Sequence, residues 1–310
     1  MKKLVVSSSP HIKSPTTTRR IMLDVIIALL PAAVAGAVIF GPRALAVLCV
    51  TVAASVFSEF LFNVIVKKEQ TVDDLSAIVT GLLLGLNLRA DVPLWQCAIG
   101  AVFAIVVVKC LFGGIGCNFA NPAITARVFL VISFTATVGG GAVPTLSGVE
   151  LVSGATPLEA MKLGGELPSL LNMFLGVRSG AIGETCIVAL LVGFIYLVIR
   201  KIINFEIPLI FIGTVFLLSL IFDNSFTVAA YQILSGGLVL GAVFMATDYV
   251  TTPITRSGKM IFAFGCGLIT FLIRHFGSYP EGVSYAILVM NIVSPYIEKL
   301  TAPKALGGSK

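Results

Sequence analysis

Ile21-Met-Leu-Asp-Val-Ile-Ile-Ala-Leu-Leu-Pro-Ala-Ala-Val-Ala-Gly-Ala-Val-Ile-Phe40 is a run of twenty residues that contains a single charge, Asp24. A helix rises about 1.5 Å per residue, so roughly twenty apolar residues match the hydrocarbon thickness of a bilayer. Nine further apolar runs follow: Ala44–Val66, Leu75–Leu88, Leu94–Phe112, Phe119–Val138, Ala181–Ile199, Ile207–Phe222, Ala229–Thr247, Met260–Phe276 and Val283–Ile297. The third is too short to cross straight.

Composition agrees with that reading. The 310 residues are 57% hydrophobic and 12% charged, with a mean hydropathy of +1.03. Soluble domains carry roughly 25% charged residues, so a soluble enzyme, a disordered tail and a secreted disulfide scaffold are excluded. The expected fold class is an all-α polytopic membrane protein of about ten transmembrane helices. The first run follows a polar stretch and shows no small-residue cleavage site, so no cleavable leader is expected. The net charge of +6 reads as basic loops rather than as a nucleic-acid surface.

Ten spans put both termini on one side. If that side is the cytoplasm, its loops hold fifteen basic residues: Lys2, Lys3, Lys13, Arg19, Arg20, Lys67, Lys68, Lys109, Arg200, Lys201, Arg256, Lys259, Lys299, Lys304 and Lys310. The opposite side holds five, Arg43, Arg89, Lys162, Arg178 and Arg274, and Arg127 lies within a span. This bias places both ends in the cytoplasm. The connection Gly139–Gly180, with Glu150, Glu159 and Glu166, then falls on the outer face. Its length marks it for function.

Gly81-Leu-Leu-Leu-Gly85 recurs as Gly237-Leu-Val-Leu-Gly241, and Asn118-Phe-Ala-Asn-Pro122 as Asn291-Ile-Val-Ser-Pro295. Two five-span halves of this kind would be inverted relative to each other. The expected organisation is a cytoplasmic segment over 1–20, a first five-helix repeat over 21–138, and the outer loop over 139–180. A second repeat over 181–297 and a cytoplasmic tail over 298–310 complete it. Chance recurrence of glycine motifs in apolar sequence is the plainer alternative.

The outer loop contains Ser153-Gly-Ala-Thr-Pro-Leu-Glu159. Local physics reads Thr156 as a helix N-cap, Pro157 as the first helical residue and Glu159 as the partner in a capping box. Ser153-Gly-Ala-Thr156 is also similar to the attachment sequence of a family of membrane flavoproteins. The similarity continues through Ser9-Pro-His-Ile-Lys13, Thr18-Arg-Arg-Ile-Met22, Gly113-Gly-Ile-Gly-Cys-Asn-Phe-Ala-Asn-Pro-Ala123, Ala246-Thr-Asp-Tyr-Val-Thr-Thr-Pro253 and Ser257-Gly-Lys259. On these motifs the whole chain resembles the family that joins the D subunit of the Rnf complex to the B subunit of the Na+-translocating NADH:quinone oxidoreductase. The compact length favours the Rnf branch.

The resemblance implies FMN joined through its phosphate to the Thr156 hydroxyl, with Ser153, Gly154 and Ala155 as cofactor-binding residues. A phosphate there would meet free N–H groups, whereas Glu159 would repel it unless turned away. A second, non-covalent flavin such as riboflavin is implied toward the cytoplasmic side. So is membership of a multi-subunit complex of the bacterial inner membrane that couples electron flow from ferredoxin to NAD+ to Na+ or H+ movement. One partner would be a second subunit with covalent FMN. The chain alone is not expected to turn over.

Charge inside a span is costly and usually faces protein or a water path. Glu59, with Asn63 one turn on, reads either as a structural pair or as part of an ion path. Asp24, Asp73, Asp74, Glu184, Glu206 and Asp248 lie near span ends, where solvated or capping roles are expected. Asn121-Pro-Ala123 resembles the half-helix starts of water channels, with Ser294-Pro-Tyr296 as its second copy. The six cysteines read as isolated thiols. His11 and His275 are too few for a metal site, and no nucleotide-binding glycine loop appears. A channel or transporter built from inverted halves fits hydropathy equally well; only the Ser153–Thr156 motif separates the two classes.

Overall fold

The computed structural model of the chain describes residues 16–144, 153–277, 279 and 281–303. The Ser9–Lys13 motif, the start of the expected N-terminal segment, His11, Glu150 and the end of the tail lie outside the described residues. The helices are α1 (Thr18–Phe40), α2 (Pro42–Val66), α3 (Ser76–Leu86), α4 (Leu94–Val102), α5 (Pro122–Ser133) and α6 (Thr135–Val138). They continue with α7 (Pro157–Leu163), α8 (Leu170–Leu175), α9 (Ile187–Ile199), α10 (Glu206–Asp223), α11 (Phe226–Leu234), α12 (Leu238–Leu240), α13 (Arg256–Phe276) and α14 (Val283–Thr301). The strands β1 (Gly141–Ala142) and β2 (Ser153–Gly154) form one small antiparallel pair. The chain is an all-α polytopic membrane protein, and every expected apolar run contains a helix.

Among the described residues four helices, α1, α2, α10 and α13, are long and apolar enough to cross a bilayer unaided. The others are shorter, interrupted or, like the 19-residue α14, less apolar. α4 runs on through wide π turns at Phe103–Cys110, and α11 meets Leu238–Met245 at a bend of 63°. Lipid accounts for the outward faces. On α1, Ile27, Leu30, Val34 and Val38 make one exposed stripe at helical spacing, while Ala28, Leu29, Ala32 and Ile39 are buried.

Successive long elements alternate in direction. Arg200 after α9 binds Asp24 near the start of α1, Arg256 pairs with Glu206, and Thr255 meets Thr301. These contacts mark one end of the bundle. At the other end, Arg43 donates to Val92 O and Lys162 to Gly277 O. The described ends of α1 and α14, Thr18 and Thr301, therefore share the end opposite Thr156. α2 packs on α3 and α4 as α10 packs on α11 and α13; α1 meets α9, and α5 meets α14, between the halves.

Three expectations are corrected. Lys109 is not a loop residue: it is 2% exposed and sits within the π segment. Glu184 is not solvated or capping, being 5% exposed. Asn121 does start α5, its side chain accepting from Ala123 N and Ile124 N, but Pro295 lies inside α14. The second copy, Ser294-Pro-Tyr296, is thus no half-helix start.

Candidate functional site

Thr156 occupies the N-cap of α7. Its Oγ1 accepts from Glu159 N at 3.2 Å, and Glu159 Oε2 accepts from Thr156 N at 2.8 Å. Both halves of the capping box are present, Pro157 opens the helix, and Gly164 closes it at φ 70°. Glu159 is held beside Thr156 rather than turned away.

The motif is fixed from both ends. Gly141 pairs with Gly154 and Ala142 with Ser153, while Ala142 and Gly180 exchange backbone bonds of 3.2 Å. The Ser179 hydroxyl donates to Ala155 O. The two ends of the long loop and the Ser153–Thr156 motif are thereby zipped together. Only glycine fits at 141, because a Cβ there would lie 2.8 Å from Gly180 N and 3.0 Å from Thr156 Cγ2. At the far end of α7, Lys162 Nζ donates to Gly277 O at 2.7 Å and to Tyr279 O at 3.1 Å.

Gly154, Ala155 and Glu159 face a cavity of about 490 Å³. Its other walls include Arg89, Arg127, Tyr279, Glu281 and Tyr285. Arg89 is held by Asp91 and by Gly139 O. Arg127 lies between two carboxylates: Nη1 donates to Glu184 Oε1 at 2.6 Å and also to Asn87 Oδ1, and Nη2 donates to Glu281 Oε2. Glu281 Oε1 in turn accepts from Gly237 N at 3.0 Å, which ties the helix break to this wall. Tyr279 and Tyr285 lie with ring centroids 5.7 Å apart, and the buried Tyr285 hydroxyl has no partner among the described residues. Two cations, two aromatic faces and an unused hydroxyl suit a planar, electron-accepting ring with polar edges.

Of the expected residues, the structure brings Gly154 and Ala155 to this cavity and sets Thr156 beside it. Ser153 contributes its backbone pairing. Glu59 lies at the opposite end of the bundle, bound to Lys109. Nothing in the sequence singles out Arg89, Tyr279, Glu281 or Tyr285 as site residues. Arg127 stands out there only as an in-span charge.

The sequence matches the NQR2, RnfD, RnfE family over residues 5–307. It is 45% identical to the D subunit of the Na+-translocating ferredoxin:NAD+ oxidoreductase complex of Acetobacterium woodii, covering 99% of this chain and 96% of that one. The chain belongs to the NQR2, RnfD, RnfE family. It is also 42% identical to the D subunit of the proton-translocating ferredoxin:NAD+ oxidoreductase complex of Clostridium ljungdahlii, over 97% of this chain and 96% of that one. Against the D subunit of the ion-translocating oxidoreductase complex of Escherichia coli K12, identity is 33%, with 98% and 99% covered.

Proposed function

We propose that this chain is the membrane flavoprotein subunit of a Rnf-type ion-translocating ferredoxin:NAD+ oxidoreductase, with FMN esterified through its phosphate to Thr156. One observation carries the reading. The attachment motif is pinned by backbone pairing at the edge of a cavity of about 490 Å³ walled by Arg89, Arg127, Tyr279 and Tyr285. That volume lies within the roughly 300–1,000 Å³ of small-molecule sites. Thr156 Oγ1 only accepts a hydrogen bond in the cap, so its proton is not engaged there.

Bound FMN would supply reversible electron uptake; the protein supplies position and field. β2 and the Gly180 bridge hold the Thr156 backbone. Arg127, fixed by Asn87, Glu184 and Glu281, keeps a cation on the wall that an electron-rich ring would face. Tyr279 and Tyr285 offer aromatic faces to the ring. Glu159 holds its carboxylate on Thr156 N. At the other end of the bundle, the cavity near Lys109, Asn118 and Asp248 is about 100 Å³. A second, non-covalent flavin such as riboflavin toward the cytoplasmic side belongs to the same reading.

The same reading puts the Thr156 loop on the outer face of the bacterial inner membrane and both termini in the cytoplasm. It places the chain beside a second subunit carrying covalent FMN, with Na+ or H+ as the coupled ion. In-gel flavin fluorescence of the denatured chain, or intact mass with one added FMN, tests it. Thr156→Val should remove the signal and still insert. A bare peptide around Thr156 from assembled native complex would overturn the reading in favour of a solute channel or transporter.

A further inference from the structure

On the side of α7 away from the motif lies a second opening of about 430 Å³, walled by Leu158, Lys162, Asp223, Gln232, Arg274 and His275. Its cations are Lys162 and Arg274. Arg89, Lys109, Arg127, Arg200 and Arg256 each have a carboxylate within 4.0 Å. Among the described residues, Lys162 and Arg274 have none, as is also true of Arg43 and Arg178. Arg274 is 3% exposed; its terminal nitrogens donate to Gln232 O and Ser235 O, and its Nε is buried without a partner. Lys162 donates to two carbonyls and keeps a third N–H. Burial, and then the charge of Arg274, hold the Lys162 ammonium below its ordinary pKa. The one carboxylate on the wall, Asp223, faces His275 with Nδ1–Oδ1 3.6 Å.

The surroundings are those of a bilayer edge. α10 and α13 end here, at Asp223 and Phe276, and α11 begins at Phe226. Phe222, Phe226, Phe276 and Leu163 are all more than half exposed beside the opening. Apolar and aromatic side chains at helix ends, next to basic side chains, are the arrangement in which a headgroup meets basic residues while acyl chains lie on the apolar rim.

We infer that the opening between α7, α11 and the end of α13 binds a phosphate-type oxyanion, held by Lys162 and Arg274 with His275 at its edge. A headgroup of an anionic phospholipid and a free phosphate share this chemistry. Because Lys162 lies on the same seven-residue helix that Thr156 begins, an anion here also steadies the placement of the motif. The site does not depend on what Thr156 carries.

The test uses the full-length chain purified into nanodiscs of pure phosphatidylcholine, or of phosphatidylcholine with phosphatidylglycerol. Native mass spectrometry reads retained lipid and thermal unfolding reads stability. The expected result is retained phosphatidylglycerol and a raised Tm, with retention falling about fivefold in Lys162→Gln. That variant can still donate to Gly277 O, so its fold is expected to survive. Arg274→Lys, which keeps the charge, should retain most of the lipid. Protection by inorganic phosphate in pure phosphatidylcholine would support the site and identify the free ion as its source. Failure of both phosphatidylglycerol and phosphate to protect, or equal retention by Lys162→Gln and the unaltered chain, would overturn it.

Discussion

Lys109 Nζ lies 2.8 Å from both carboxylate oxygens of Glu59, with neither side chain more than 2% exposed. Ser76 Oγ accepts from the same ammonium at 2.6 Å, and Thr71 Oγ1 donates to Glu59 Oε1 at 2.6 Å. The wide turns of the Phe103–Cys110 segment carry Lys109 to this position from the helix facing α2. A pair this well satisfied is a structural element first. Glu59→Gln leaves a buried ammonium without its counter-charge, and losing one partner of such a pair costs about 3–5 kcal/mol. The expected outcome is a lower Tm and poor yield of the membrane-inserted chain. Glu59→Leu combined with Lys109→Met should recover most of that loss. If the double variant also keeps ion-coupled activity in the assembled complex, Glu59 is no part of an ion path.

Arg127 is the cation on which the cavity wall depends. Arg127→Leu leaves Glu184 and Glu281 without the guanidinium that binds both, at a cost of about 3–5 kcal/mol. Arg127→Lys keeps the charge, but a single ammonium cannot reproduce a fork that spans two carboxylates and Asn87. Thermal unfolding should rank the unaltered chain above Lys and Lys above Leu. Equal Tm values for all three would mean that the carboxylates find other partners.

Gly237 meets the same carboxylates from the helix break. A Cβ there would lie 2.7 Å from Glu184 Oε1 and 2.8 Å from Glu281 Oε1. Gly237→Ala must therefore push a carboxylate off Arg127. Overpacking of this kind costs about 1–3 kcal/mol. Denaturation of Gly237→Ala in detergent measures it. The loss should shrink in an Arg127→Leu background, where the ion network is already broken.

How much of this was legible follows from what lipid and distance select. The apolar runs were readable because a bilayer imposes a length, and even the short α3 falls within Leu75–Leu88. The capping box was readable because Thr156, Pro157 and Glu159 act on neighbours within one turn. Lys109 was misplaced because a lysine near the end of an apolar run looks like one that reaches out to solvent. Its partner lies fifty residues earlier in the chain. Glu184 and Glu281 stand 57 and 154 residues from Arg127, so no local pattern links them. The only sequence signal was the unexplained charge of Arg127 inside a span. Tyr279 and Glu281 sit in a short turn between two spans, where polar residues attract no notice.

Thr156 caps α7 and, in the proposed function, carries the flavin; a single substitution confounds the two, since valine removes both the cap and the hydroxyl. Losing a threonine cap costs about 1 kcal/mol, enough to loosen a helix of seven residues and to lower flavin content indirectly. Asparagine separates the roles. Its side-chain oxygen caps as well as threonine does but offers no hydroxyl to esterify. Thr156→Asn should therefore keep the stability of the flavin-free chain within a few tenths of a kcal/mol and still show no flavin after denaturation. Gly141→Ala gives the converse case: the hydroxyl stays, but the strand that holds it is pushed away from Gly180, so flavin per chain should fall with Thr156 intact. Flavin retained in Thr156→Asn would place the attachment on another residue, and normal loading in Gly141→Ala would show that the β1–β2 pairing does not position it.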